Sequence, residues 1–438
     1  MADGGARNAR SAHEERLLAT AARLLPSGVR NPVGTPDAAM VVASARGGRL
    51  RDTSGNEYVD YLLGSGPMLL GHAHPAVVDA VSRALERGSS YLLVNEPAIE
   101  LAERLVELVP CAEAVSFHNS GSEAVFYALR LARAWRGRDK ILKFEGAYHG
   151  MGDAALMSTQ WTRPTDGPPR AVPDSAGIPA SAADDVLVAP FNDLDAVAAI
   201  LERHHDELAA VLVEPLQRTL APQPGFLDGL AGLARRYDLV LVFDEVVTGF
   251  RLGLGGAQQR YGVTPDLCAL GKSLSCGHPF AALCGRSELM ALGRPGRDDG
   301  RGVLLTGTYS ANPISATAAL AALRELERPG VYERLEERGG RLRDGLERAM
   351  TAAGVDVRVS GEASVFEAWF TDGDLVDFRS TLAADRARAM RFAELLLERF
   401  VVKAHEKFFV STAHDDDDIE RTLAAFDAAA RVLAAEGC

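Results

Sequence analysis

The chain has 438 residues, 47% of them hydrophobic and 24% charged, with a net charge of −13. That length buries a large core and fits two to three domains, or one large domain with an appendage, while the acidic balance argues against a nucleic-acid backbone or an anionic membrane surface as partner. Five cysteines, none in a Cys-x-x-Cys pair, read as free thiols of a reducing compartment; with no signal-like N-terminus and no membrane-length apolar run, the expected location is the cytoplasm.

In chain order, residues 15–25 read as a short amphipathic helix. Residues 40–62 alternate apolar and polar, predicting strands near Met40–Ala45, Arg49–Arg51 and Glu57–Tyr61. From about residue 75 the pattern changes. Helices are predicted at 75–87, 96–108, 121–136, 194–207 and 226–237, and strands at Ala114–His118, Lys140–Phe144, Val186–Ala189, Ala210–Val213, Leu239–Phe243 and Ala281–Cys284. Wholly apolar strands alternating with helices predict an α/β fold on a mainly parallel sheet with both faces covered. Two helices follow, Asn312–Leu326 and Val331–Ala352, and then a small α+β unit over 354–438 whose last helix opens on Asp415 to Asp418. Segment 152–184 lacks regular pattern and is rich in Pro, Gly, Ser and Asp; a loop of that length in a compact domain is expected to cover a site.

The chemistry concentrates where strands end. The strand Leu239–Phe243 delivers Asp244 and Glu245, and 28 positions after Asp244 the apolar segment Asp266–Leu270 delivers Lys272 among small residues. A lysine amine holds pyridoxal phosphate as a Schiff base, and a carboxylate keeps the pyridine nitrogen protonated so that the ring accepts electrons. Alone the pair is ambiguous, since a strand ending in Asp-Glu also binds magnesium or caps helices. Asn119-Ser120-Gly121-Ser122-Glu123 follows a strand and opens a helix, the arrangement that presents amides and hydroxyls to a phosphate. Gly146-Ala147-Tyr148-His149-Gly150 places an aromatic pair at the next strand end, and Glu214-Pro215 adds a carboxylate at the same edge. His72 and His74 have the spacing of a metal pair, but the reading taken is structural and no metal is expected.

Taken together, these segments resemble the class III aminotransferases of the pyridoxal-phosphate fold type I, and within them glutamate-1-semialdehyde 2,1-aminomutase and its relatives. The resemblance runs from about residue 40 to 435 and rests on Gly64 to Pro75, Asn119 to Ala124, Lys143 to Gly150 and Phe243 to Arg251. It implies a large cofactor domain over 71–325 with a seven-stranded sheet, and a small α+β domain assembled from 1–70 and 326–438. It also implies residue roles. Lys272 carries the cofactor and moves the substrate proton, and Asp244 pairs with the ring nitrogen. Tyr148 stacks on one ring face and Val246 packs on the other. Ser120, Gly121 and Ser122 hold the phosphate, His149 lines the cofactor site, and Glu214 lies toward the ring hydroxyl. Thr308, within Thr306 to Pro313, reaches the phosphate of a second subunit, so a homodimer with shared sites is expected.

The resemblance also marks departures. The aminomutase's carboxylate-gripping arginine aligns with Gly34, and a pocket tryptophan aligns with Ser65. Arg30 and Arg218 are the remaining cations for an acidic substrate, and Glu406 matches an acidic position. The expected activity is therefore transfer of an amino group from a donor to a keto or aldehyde acceptor, in specialised metabolism, with an intramolecular aminomutase as the alternative. A regulator that binds the cofactor without turnover, or a racemase or decarboxylase, ranks behind both. Small-molecule substrates and a second copy of the chain are the expected partners, with neither nucleic acid nor membrane.

Overall fold

The computed structural model describes residues 9–26, 38–161, 163–297, 299–404 and 406–437. These form two compact units. The first comprises residues up to Pro75, Arg328–Leu375 and Ala383 onward; the second comprises Ala76–Glu327 and Val376–Leu382.

The chain begins with a helix, Ala12–Leu24, three residues ahead of its expected start because the Ser11 side chain caps it. Then come β1 (Val42–Arg46), β2 (Arg49–Asp52) and β3 (Glu57–Tyr61), paired antiparallel in sequence. The β2–β3 turn is held by one carboxylate. Buried Asp52 accepts from the Ser54 and Asn56 amides (3.0 and 2.8 Å), the Asn56 side-chain amide (2.8 Å) and the Tyr58 hydroxyl (2.9 Å). A buried carboxylate needs that many donors to offset its lost hydration.

The second unit carries β4 (Ala114–His118), β5 (Lys140–Phe144), β6 (Val186–Ala189), β7 (Leu208–Val213), β8 (Val240–Glu245), β9 (Leu267–Leu270) and β10 (Ala281–Gly285). They form one seven-stranded sheet in the order β4-β10-β9-β8-β7-β5-β6. β10 runs antiparallel to β4 and β9, and the other pairings are parallel. The sheet is mainly parallel, as the apolar strands predicted. Every residue of β7, β8, β9 and β10 is buried, which a sheet covered on both faces requires. The helix Gly121–Arg136 turns Ala124, Val125, Ala128, Leu129, Leu131 and Ala132 into this core.

The first unit resumes with the helix Val331–Ala352, then β11 (Arg358–Glu362), β12 (Val365–Trp369), β13 (Val401–Lys403) and β14 (Phe408–Phe409). β14 pairs with β12, and β13, absent from the sequence reading, runs parallel to β3. Three residues bear too short a pattern to be seen; β13 exists because β3 offers it a free edge. The last helix, Asp416–Ala435, is capped by Asp415 in a box with Asp418. Arg49 donates to Asp418 (2.7 Å) and Asp417 (2.8 Å), so a cap and an arginine account for much of this acid run.

Candidate active site

Parallel pairing fixes which strand ends meet. Val213 lies beside Phe243, and Asp244 and Glu245 lie beside Ala269 and Leu270. Glu214, Asp244 and Lys272 therefore leave three adjoining strands at one carboxyl edge, where α/β sheets place their ligands. The segments after β4 and β5 emerge at the same edge, because Ala281 of antiparallel β10 sits beside His118.

Lys272 opens a short 3-10 turn, Lys272–Ser275, with φ +41°. A side-chain-bearing residue in the left-handed region is a costly conformation, kept only where the surroundings impose it. Burial pushes its ammonium below the usual lysine range, against the opposing pull of Asp244 and Glu214; a larger neutral fraction makes a better nucleophile. Asp244 is buried. Its Oδ1 accepts from the Val246 amide (3.1 Å), and its Oδ2 lies 2.9 Å from His149 Nδ1. His149, also buried, has no hydrogen-bond partner at Nε2 among the described residues.

The loops interlock through missing side chains. A Cβ on Gly121 would stand 2.7 Å from a Val246 methyl, and one on Gly150 (φ +93°) would stand 2.5 Å from Ser122 Oγ. The Met151 amide donates to Ser122 Oγ (3.3 Å), so the segment after β5 returns to the helix that follows β4, across the four strands that separate them in the sheet. Ser120 is that helix's N-cap, its Oγ accepting from the Glu123 amide (3.3 Å), while Glu123 returns to the Asn119 amide (2.8 Å). Tyr148 meets Trp161 edge-on, with ring centroids 5.3 Å apart. Glu214 accepts the Arg218 amide (2.7 Å). Thr308 is exposed, on a turn closed by Ser310 N–H to Gly307 O (3.0 Å).

The structure thus gathers Ser120, Gly121, Ser122, Tyr148, His149, Glu214, Arg218, Asp244, Val246 and Lys272 within the second unit. Ser65, exposed with φ +70°, and Glu406, half-buried, belong to the first unit. Arg30 and Gly34 lie outside the described residues. The donor set suits a phosphorylated pyridine aldehyde: an amine, a buried carboxylate able to pair with a ring nitrogen, amides at a helix start, and a buried imidazole nitrogen with an unmet bond.

Sequence reasoning missed the brace behind these residues. Lys143 is wholly buried, and its Nζ donates to the carbonyls of Ala147 (3.1 Å), Ala155 (3.2 Å) and Met157. Glu145 accepts two bonds from Arg379 (2.6 and 2.9 Å), and Arg379 also donates to Gly167 O (2.6 Å). A signal existed for the first: Lys143 stands between Leu142 and Phe144 in the interior of β5. For the second there was none, because 234 positions separate the partners. These contacts reach Ala155, Met157 and Gly167 within segment 152–184, whose described residues also bond to one another. Ser158 bonds Arg170 O and the Val172 amide, Thr159 N–H reaches Asp174 (2.7 Å), and a 3-10 turn forms at Ala180–Asp185.

The class-III aminotransferase model matches residues 31–406. A curated glutamate-1-semialdehyde 2,1-aminomutase of Desulforudis audaxviator is 43% identical over 95% of this chain and 97% of its own. Among solved structures, an omega-transaminase from Sphaerobacter thermophilus superposes with a TM-score of 0.90 at 36% identity, covering 96% of this chain and 97% of its own. A glutamate-1-semialdehyde aminomutase from Pseudomonas aeruginosa PAO1 in complex with PMP gives 0.86 at 25% identity, covering 95% and 94%.

Proposed function

The chain belongs to the class-III aminotransferases, enzymes of pyridoxal phosphate, and from that premise we propose that it relocates an amino group with Lys272 as the cofactor-bearing lysine. The observation that carries this is the register of β8 and β9, which brings Lys272 and Asp244 to one edge with Glu214 beside them. When bound, the cofactor serves as an electron sink for the carbon that bears the amino group. Lys272 would hold the cofactor and would give or take a proton at the substrate carbon that bears the amino group. Asp244, oriented by His149, would keep the ring nitrogen protonated. Ser120, Gly121 and Ser122 would hold the phosphate, Tyr148 and Val246 would hold the ring, and Glu214 would serve its hydroxyl side. A second copy of the chain contributes Thr308. The resemblance assigns the substrate side to Arg30, Ser65, Arg218 and Glu406.

Of the two forms of the reaction, the movement of nitrogen within one substrate, as in the aminomutases, has the stronger support, because curated relatives at 43% and 42% identity carry that name. Transfer between two substrates is the second reading. Gly34 and Ser65, at the aligned positions of the aminomutase's arginine and tryptophan, favour it, as does the likeness to an omega-transaminase. The test begins with the purified holoprotein and its visible absorbance. Borohydride reduction should label Lys272, and Lys272→Ala should take up no visible band; a band of undiminished strength in that variant would sink the assignment. Turnover of glutamate-1-semialdehyde to 5-aminolevulinate without added donor selects the intramolecular form. Bleaching by a single amino donor with release of its keto acid selects the other.

A further inference from the structure

The chain has three tryptophans. A side chain with so much apolar surface is normally well covered. Trp135 is half-buried, with the Arg301 guanidinium 5.7 Å over its ring, and Trp369, also half-buried, donates its indole N–H to Ser360 Oγ (2.8 Å). Trp161 is 63% exposed.

The backbone under Trp161 is nevertheless fixed. Thr159 forms a parallel bridge with Gly146, whose amide donates to Ser158 O (2.8 Å). The Thr159 amide donates to Asp174 (2.7 Å), and the Trp161 amide to Thr159 Oγ1 (3.4 Å). Gly146 is itself pinned: it has φ +83°, and a Cβ there would stand 2.4 Å from Phe378 Cγ. These bonds bring Trp161 to Tyr148, with ring centroids 5.3 Å apart and ring planes at 74°. Tyr148 adjoins His149, which lies 2.9 Å from Asp244. An indole upright against Tyr148 makes a wall beside the ring-covering residue, not a second layer over it. The exposed Leu92, Leu93, Val94 and Tyr309 lie on other segments, whereas Trp161 is tied to the loop that carries the site.

We propose that Trp161 is a specificity-determining wall of this site, selecting a substrate with an aryl or other bulky apolar group beside its amino-bearing carbon. This rests on the reading of Lys272 as the cofactor lysine, and it applies to either form of the reaction. An exposed aromatic surface at a ligand site is covered when an apolar group binds. A fixed backbone spares part of the entropy of ordering that contact.

The experiment uses holoprotein of wild type, Trp161→Ala and Trp161→Phe. Bleaching of the visible band is followed with matched amines that differ in one group: 1-phenylethylamine against 2-aminobutane, and phenylalanine against alanine. Wild type should react faster with the aryl member of at least one pair. In Trp161→Ala the ratio of the two rates should fall about 10-fold, with the loss on the aryl member, and Trp161→Phe should recover part of it. 3-Phenylpropanoate, which has no amine, should compete better than butanoate in wild type and lose that advantage in Trp161→Ala. A rate ratio that survives in Trp161→Ala overturns the proposal, as does the absence of an aryl preference from wild type in both pairs. Equal loss for both members also overturns it, and an accompanying shift from dimer to monomer in sedimentation would assign Trp161 to a contact between copies. If wild type forms no band with pyridoxal phosphate, the cofactor reading has failed and the proposal falls with it, a distinct result.

Discussion

Asp244 shows how much chemistry one side chain takes from its backbone setting. It is the next-to-last residue of β8, its Oδ1 is turned back onto the Val246 amide (3.1 Å), and its Oδ2 is left for His149 (2.9 Å). Asn keeps the shape and loses the charge, so Asp244→Asn should retain covalent attachment at Lys272 while kcat falls on the order of 10²–10³-fold, the usual loss when one preorganised electrostatic partner is removed. Borohydride labelling together with single-turnover rates checks this; an unchanged rate would remove Asp244 from the chemistry. At this scale the sequence was informative. Lys272, Asp244 and the Ser120 to Ser122 turn stood out by residue type near strand ends, but their roles were implied by the family resemblance and not by local pattern. The role of Lys143 was not, because a lysine inside a strand makes sense only once the three carbonyls it serves are known.

Between residue and molecule stand the loops that follow the strands. Lys143 binds the first of them from below, and burial brings its ammonium down to about 7. Between that value and the ordinary lysine value of 10.5, the unfolded chain holds more protons than the folded one. Stability must therefore rise with pH across the window, by up to about 1.4 kcal/mol per pH unit from this group. Lys143→Met should lose that component of the slope, which denaturant melts of wild type and variant at pH 7 and pH 9 would reveal; parallel slopes would refute it. Arg379 secures the same region from outside, through Glu145 and Gly167 O, on a segment, Val376–Leu382, that clusters with the second unit although its chain neighbours do not. Arg379→Gln should weaken this by about 1–3 kcal/mol and expose residues 152–184 to limited proteolysis, with KM rising more than kcat falls. A cleavage pattern identical to wild type would show the clamp to be idle. Sequence predicted the long segment and its lack of periodicity. Its order escaped notice because the ordering groups are distant in the chain and the bonds are to backbone carbonyls, which leave no pattern.

For the whole molecule, the surface of the second unit carries a test of association. Leu92, Leu93 and Val94 are 75–82% exposed, and Tyr309 is 62% exposed. Asn95 Nδ2 donates to Ala311 O (2.9 Å) and Asn312 Nδ2 to Ser89 O (2.8 Å), which binds the two apolar segments together. An apolar patch of this kind on an otherwise charged protein marks a contact surface, and the partner we propose is a second copy that presents Thr308. Sedimentation should give a dimer, and Leu93→Asp should shift it to monomer with loss of cofactor retention; a monomeric wild type with full activity would dismiss the shared site. The sequence by itself determined the strand–helix alternation, the mainly parallel sheet and the residue types at each strand end, because burial on two faces and helix capping are written in local pattern. Only the tertiary structure decided which strand ends adjoin, that the segment after β5 crosses back to Ser122, and that Trp161 stands exposed against Tyr148. Those outcomes depend on register and on contacts between residues far apart in the chain, to which no local periodicity corresponds.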